Sequence, residues 1–317
     1  MRVLLIGGAG YIGGATYDAL IDSGEDVTIY DNLLYESRFL KPSKFIYGDI
    51  RDTDKLSNLA KGFDVIVFLA ALVGDAACQV DVAHTNEINY LAVKNFVDRL
   101  DKKQKLIFIS TCSVYGAQND TLNENSSVSP LSAYASTKLL AERCVSDFGG
   151  MVFRLGTVYG KGDNYSRIRF DLIVNVLTLK AVVNQKISIN GGDQWRPIIS
   201  VKDVAAYIAE ACENYYSDVF ILGKENVLLR ELGERVARCI PGTQVEYSDI
   251  SVKDFRNYKV DNAKSLSTFC HKPLHSVESE VDELMNIIKN RRIINPDDPV
   301  YHNGSYLNMN KEVLNVR

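Results

Sequence analysis

Long apolar runs are missing. Nowhere do about 18 apolar residues follow one another, so no segment is expected to cross a bilayer as a helix. Histidine is scarce, with four in 317 residues, and only His271 and His275 lie near each other. The six cysteines (78, 112, 144, 212, 239 and 270) include no CxxC pair. No metal site is therefore expected, and the cysteines read as free thiols of a reducing compartment. An excess of positive charge is absent too. A formal net charge of −4 gives no reason to expect nucleic acid or an anionic membrane as the main partner. Glycine interrupts the opening MRVLLIGGAG too early for a secretion signal, so the expected location is the cytoplasm. Internal repeats and low-complexity blocks are also lacking.

What is present is an ordinary globular balance, 46% hydrophobic and 24% charged. RVLLI (2–6) reads as a buried strand, and YIGGATYDALIDSG as a helix closed by Gly24. Further strands follow at DVTIY (26–30), KFIYGDI (44–50), DVIVFLAAL (64–72) and KLIFIST (105–111), with MVFRLGTVYG (151–160) as a sixth. Helical stretches lie between them, the clearest at 84–100. Alternating elements with nearly continuous apolar strands predict a parallel sheet covered on both faces. The expected fold is α/β: a Rossmann-type doubly wound parallel sheet with a smaller mixed C-terminal substrate lobe. Residues 1–160 would form the cofactor domain, to which the chain returns at about 197–222, and 161–317 mainly the substrate lobe. The tail from Asn295, with two prolines and many asparagines, reads as irregular surface chain.

GGAGYIGG (7–14) joins the first strand to the first helix. Gly7, Gly10 and Gly13 fit GxxGxxG, and Gly8, Gly10 and Gly13 fit GxGxxG. Glycine permits the tight turn and lets backbone approach a pyrophosphate at the helix N-terminus. Tyr11 and Ile12 inside the motif join the candidate cofactor set. Asp31 ends the second strand, where a carboxylate accepts from ribose hydroxyls and repels a 2′-phosphate, which favours NAD over NADP. Asn32 follows it. Asp49 and Ile50, after the third strand, are candidates for the adenine edge.

YASTK places Tyr134 and Lys138 four residues apart, one above the other on a helix face. Thr111 ends the fifth strand, at the carboxyl edge where such sheets bind ligands. A hydroxyl, a phenol and an ammonium beside an oxidised nicotinamide would form a proton-transfer group. The expectation is that Lys138 and the cofactor's charge acidify Tyr134, which then acts as general base.

With these pieces in place, the chain resembles the extended short-chain dehydrogenase/reductase family, in its NAD-dependent sugar-nucleotide epimerase/dehydratase branch. GGAGYIG, FLAAL (68–72), STCSVYG, YASTK, RLGTVYG (154–160) and WRPIISVKDVA (195–205) run in that family's order. The resemblance implies that Tyr134 is the base, that Lys138 binds the nicotinamide ribose, and that Thr111 is the catalytic hydroxyl. It places Ala70 and Ala71 along the NAD. It also implies oxidation of a nucleotide-diphosphate sugar at C4.

The 4,6-dehydratases carry Asp-Glu after the strand-end Thr. Here Cys112 and Ser113 stand there, so 4,6-dehydration is disfavoured. Cys112 is also one residue out of step with the cysteine of the 3,5-epimerases, and is expected to be packed. A 4-epimerase is the first expectation. The second is a 4-dehydrogenase that releases the keto-sugar, since LAALVGDAAC and RIRFDLIVN resemble a subgroup containing heptose-nucleotide 4-dehydrogenases. A non-catalytic NAD-binding protein is the rival of another class, but it would be expected to lose Tyr134 or Lys138.

By the same resemblance Arg196 and Arg256 bind the substrate diphosphate, and Asn175 is a diphosphate or base contact. Arg167 and Arg169 are open between touching the sugar or phosphate and belonging to a merely basic loop. Trp195, the single tryptophan, is expected to pack in the core. The resemblance further implies a homodimer through a four-helix bundle, built from the 84–100 helix and the Tyr134 helix.

Overall fold

The computed structural model describes residues 1–36, 39–248 and 257–315. Its main sheet begins with β1 (Arg2–Ile6), α1 (Tyr11–Asp22), β2 (Asp26–Asp31) and β3 (Lys44–Tyr47). The chain continues through α2 (Thr53–Ala60), β4 (Val65–Phe68), α3 (Asp75–Val80) and β5 (Lys105–Thr111). Strands Met151–Leu155 and Val219–Leu222 complete seven, every pair parallel. In space β3, β2 and β1 lie to one side, followed by β4, β5, Met151–Leu155 and Val219–Leu222. The order reverses between β1 and β4, which opens a crevice beyond the carboxyl ends of those strands.

Alternation along the strands sorts the core into two layers. Val3, Leu5, Val67, Ile107 and Phe153 face α1 and the helix Val201–Glu213. Leu4, Ile6, Ile66, Phe68 and Phe108 face the other way, toward Phe96, Ala141 and Val145. β1 is buried on both faces, each of its four apolar side chains being 0% exposed. Burial of such side chains stabilises the fold by about 1.5–3 kcal/mol each.

Three local departures from the expected elements have physical causes. The 151–160 strand breaks at Gly156, where an added Cβ would meet Pro197 O at 2.9 Å. Thr157–Tyr159 therefore leaves the main sheet and pairs with Trp195–Ser200 in a three-stranded sheet. The 84–100 helix runs over 82–97 and widens into a π-type turn at Glu87–Leu91. That turn carries Asn89, whose side chain accepts from Leu72 N and donates to Leu72 O, both at 2.8 Å.

The third departure corrects the reading of the tail as irregular surface chain. A helical turn at Pro299–Tyr301, the helix Asn303–Met309 and a further turn at Lys311–Asn315 pack onto the domain. Leu307 and Leu314 are 0% and 2% exposed in the same layer as Phe68 and Phe96. Among the described residues, no helix is long and apolar enough to cross a membrane, and no cluster of three His, Cys, Asp or Glu could hold a metal. The six cysteines are unpaired.

Candidate functional site: a dinucleotide cavity

A cavity of about 1280 Å³ opens at the β1/β4 crevice. Sites for one small ligand usually measure about 300–1,000 Å³, so this one has room for a dinucleotide and a second molecule. Gly7, Gly10, Tyr11, Ile12 and Gly13 line one end. Gly7 has φ +82°, and a Cβ there would lie 2.5 Å from Ala70 N, so only glycine lets the loop touch the 69–73 segment. A Cβ on Gly13 would strike the backbone of Gly7 and Gly8. Gly10 starts α1 in an extended conformation with no side-chain cap, and no acidic residue occupies the first turn. The open amides and helix dipole suit a pyrophosphate.

Asp31 lies on the cavity, its carboxylate accepting from Ala9 N at 3.0 Å and Leu33 N at 2.8 Å. Burial raises its pKa, and the backbone N–H groups oppose the rise. Asn32, Asp49, Ile50, Ala70 and Ala71 line the same space. The carboxylate of Asp49 is already engaged by Arg51 and by Asn32 Nδ2, each at 2.9 Å, so neither it nor the Asn32 amide is idle. This donor set fits NAD: an uncapped helix end, a glycine cradle and a carboxylate at the end of β2.

Tyr134 stands in the first turn of Ala133–Phe148. Ser132 starts that helix, accepting from Ala135 N at 3.2 Å and donating to Asp75 at 2.6 Å. Tyr134, Lys138 and Thr111 all face the cavity. Thr111 accepts from Ser113 N at 3.1 Å and lines the cavity beside Tyr134. Lys138 is 3% exposed, with Nζ 4.0 Å from the centre of the Phe108 ring. Burial pushes Lys138 down to about 7, against the pull of Glu142 and Cys78. One turn further, Glu142 is held by Ser110 Oγ at 2.7 Å and Arg154 Nε at 3.0 Å. Arg154 also pairs with this carboxylate through Nη2.

Among the chain's own groups, burial is the largest influence on Tyr134. Burial raises the phenol above the usual tyrosine range, and the opposing effects of Arg169 and Thr111 do not offset it. The chain's own groups bring the base into place without activating it. Cys112 is buried off the cavity, with Sγ 3.3 Å from Arg154 O, whereas Ser113 lines it.

On the other side, Arg196 is buried on Trp195–Ser200 and lines the cavity, donating to Trp195 O at 2.9 Å. Arg167 and Arg169 line it as well. Arg169 pairs with Asp171 through Nε at 3.0 Å and Nη2 at 2.9 Å. Arg256 lies outside the described residues. Asn175 is a correction. It is fully buried and off the cavity, accepting from Gly160 N and donating to Gly160 O and Arg169 O, all at 2.9 Å. With its amide engaged by backbone, it braces the loop. Trp195 is half-buried beneath Lys259 Nζ, 5.4 Å from its ring, and lies outside the apolar core.

Sequence reasoning missed Asp75 and the tail residues His302, Gly304, Ser305, Asn308 and Leu314, all on the cavity wall. The tail did carry a signal. Asp298 caps Val300 N at 3.0 Å with Pro299 in the first helical position, a recognisable helix start.

Fold and site together define a dinucleotide-binding α/β protein with a Tyr–Lys pair at the mouth of β5. The model of the NAD dependent epimerase/dehydratase family matches residues 3–223, and the chain belongs to that family. It is an NAD-dependent enzyme. The chain is 29% identical over 217 residues to a putative UDP-glucose 4-epimerase of Methanocaldococcus jannaschii, covering 64% of this chain and 70% of that one. It is 30% identical over 244 residues to a UDP-glucose 4-epimerase of Halalkalibacterium halodurans, covering 69% and 72%. The solved UDP-glucose 4-epimerase of Thermus thermophilus, in complex with NAD, shares the fold. The TM-score is 0.78 at 23% identity, over 90% of this chain and 99% of that one.

Proposed function

We propose that this protein is a sugar-nucleotide 4-epimerase. The observation that carries the reading is the meeting of Thr111, Tyr134 and Lys138 on one cavity wall, with Cys112 and Ser113 where a dehydratase would need carboxylates. Bound NAD supplies a hydride acceptor and donor. Tyr134 takes the proton of the C4 hydroxyl, and Thr111 hydrogen-bonds the same oxygen. Lys138 holds the nicotinamide ribose and, when protonated, favours the phenolate. Tyr134 would return the proton to the C4 oxygen when the keto-sugar is reduced, and, with the hydride that bound NAD would supply, the reaction would have no net redox change. Related UDP-glucose 4-epimerases in the family support this outcome.

Arg196 and Arg256 would hold the diphosphate through the planar fork of the guanidinium. The division into an NAD-binding part (1–160 with 197–222) and a mainly sugar-nucleotide-binding part (161–317) goes with this reading. A homodimer goes with it too. Leu91 and Leu140, 40% and 37% exposed, are apolar side chains on the two helices that would form the bundle.

The test supplies UDP-glucose and other nucleotide sugars to the purified protein, following reduced cofactor by absorbance and products by chromatography. An inverted sugar without accumulating NADH is expected. Keto-sugar and NADH appearing in equal amounts, with no inverted sugar, would overturn the epimerase reading in favour of a 4-dehydrogenase.

A further inference from the structure

Arg167 and Arg169 both stand on the cavity wall, but their guanidiniums are engaged differently. That of Arg167 lies over the Tyr35 ring, 4.0 Å from its centre, and donates to Val300 O at 2.8 Å and to Asn303 Oδ1. Arg169 donates to Asp171 through Nε and Nη2, and no described residue meets its Nη1. We propose that Arg169 is the sugar-reading residue of this site, its outer edge of Nη1 and Nη2 gripping oxygen substituents beside C4 of a neutral, hydroxylated sugar. The proposal rests on the sugar-nucleotide reading above and not on whether the hydride returns to the keto-sugar.

Packing of its neighbours aims the side chain. Ile168 and Phe170 are 8% and 0% exposed, in an apolar cluster with Leu284 and Ile287, and Arg169 between them turns to the cavity. Its side chain is 12% exposed, so it is no solvated surface arginine. Asp171, which fixes one edge of the guanidinium, is itself held by Asn303 N at 3.3 Å. A guanidinium presents more than one forked edge. With Nε and Nη2 on Asp171, the fork of Nη1 and Nη2 is the one left for a ligand. Gly74 keeps that end open. It lies at φ +96°, and a Cβ there would already come within 3.9 Å of Nη2, so a larger side chain would crowd the fork.

The complementary acceptor is the next residue. Asp75 lines the cavity and accepts at 2.6 Å from Ser132 Oγ, at the start of the Tyr134 helix. Arg169 therefore meets the wall that carries the base. Its charge acts there too: burial raises the Tyr134 phenol, and Arg169 is the strongest of the groups opposing that rise. A donor fork beside an acceptor matches sugar oxygens of which one accepts and another donates. Such a site rejects a sugar lacking those oxygens, because its buried polar groups would be left unpaired.

Charge selects among oxygenated sugars. Glu36 accepts from Arg167 N at 2.9 Å, so three carboxylates on this stretch of wall, Glu36, Asp75 and Asp171, stand against two guanidiniums. Net charge thus gives no hold on a sugar carboxylate, whereas hydroxyl groups need none.

The test measures binding to the NAD-loaded protein in a Tyr134→Phe background, so that no turnover intervenes. UDP, GDP and dTDP are titrated alone and as their hexose compounds, and the nucleotide that binds is followed further. Arg169→Gln should weaken the hexose compound at least ~10-fold and leave the bare nucleotide unchanged. Arg169→Lys, which keeps a cation for Asp171 but has no second edge, should do the same, and so serves if Arg169→Gln fails to fold. A hexuronate of the same nucleotide should bind no tighter than the hexose. Bare nucleotide and hexose compound weakened equally, or neither weakened, would overturn the proposal, as would a tighter hexuronate. No binding by any of these nucleotides would overturn the sugar-nucleotide reading itself, and the proposal with it.

Discussion

The two sides of the cavity are made of different material. On the glycine side the contacts are backbone: a loop pressed against Ala70, and a helix end left open by Gly10. Except for Ala70, those groups come from a short contiguous stretch. On the tail side the contacts are side chains and carbonyls from opposite ends of the chain, with Arg167 and Asn303 separated by 136 positions, and Arg51 and Leu314 by 263. A wall made of backbone constrains every nearby residue type and so leaves a motif. A wall made by distant partners leaves single residues that look unremarkable where they stand.

The largest effect should come from the point where both sides meet. Tyr134→Phe removes the base and should lower kcat by about 10²–10⁴-fold, with NAD still bound, as read by turnover and equilibrium dialysis. Retained turnover would detach the comparison from chemistry altogether. On the glycine side, Gly7→Ala puts a Cβ against Ala70 N at φ +82°, and should weaken NAD binding by at least ~10-fold in a fluorescence titration. An unchanged Kd would mean the loop gives way more easily than its packing suggests.

On the arginine side, Asn175→Ala strands Gly160 N and two carbonyls. It should destabilise the fold by about 1–3 kcal/mol in urea unfolding while leaving KM for the sugar nucleotide unaltered. A KM change without a stability loss would restore Asn175 as a ligand contact.

The smallest effect is a slope. Folded Lys138 gives up its proton near pH 7, whereas in the unfolded chain it keeps it to about 10.4. Between those values the unfolded state binds the extra proton, so raising the pH stabilises the fold through this residue. Urea unfolding at pH 7, 8 and 9 should show the unaltered protein gaining stability relative to Lys138→Met as the pH rises. Parallel curves for the two proteins would mean Lys138 stays charged where it lies.

How much was legible follows from the same contrast. Seven-strand order is an outcome of pairing, yet six strands, the glycine loop, Asp31 and the Tyr134–Lys138–Thr111 group all carried local marks: an apolar run, a glycine spacing, a helical repeat. The break at Gly156 was hidden because its cause is Pro197 on another strand. The tail was hidden because Asn303, Gly304 and Tyr306 gain meaning only against Val73, Ala76 and Tyr35. The burial of Tyr134 was hidden because a spacing of four reveals the neighbour but not what covers it. Asn175 failed for a related reason: position in a motif says that a residue is near a site, not that its hydrogen bonds are unspent.

The break at Gly156 bears on how the molecule is made. Met151–Leu155 finds its outer neighbour only when Val219–Leu222 arrives, after the chain has gone out through Thr157–Tyr159, the helix Ile173–Asn184 and the second sheet. During synthesis the row of amides and carbonyls along Met151–Leu155 therefore stays open, a template for pairing with the wrong strand. Refolding at rising protein concentration should lose yield at this step first, and the late closure of that edge sets the risk of aggregation rather than the stability of the finished fold.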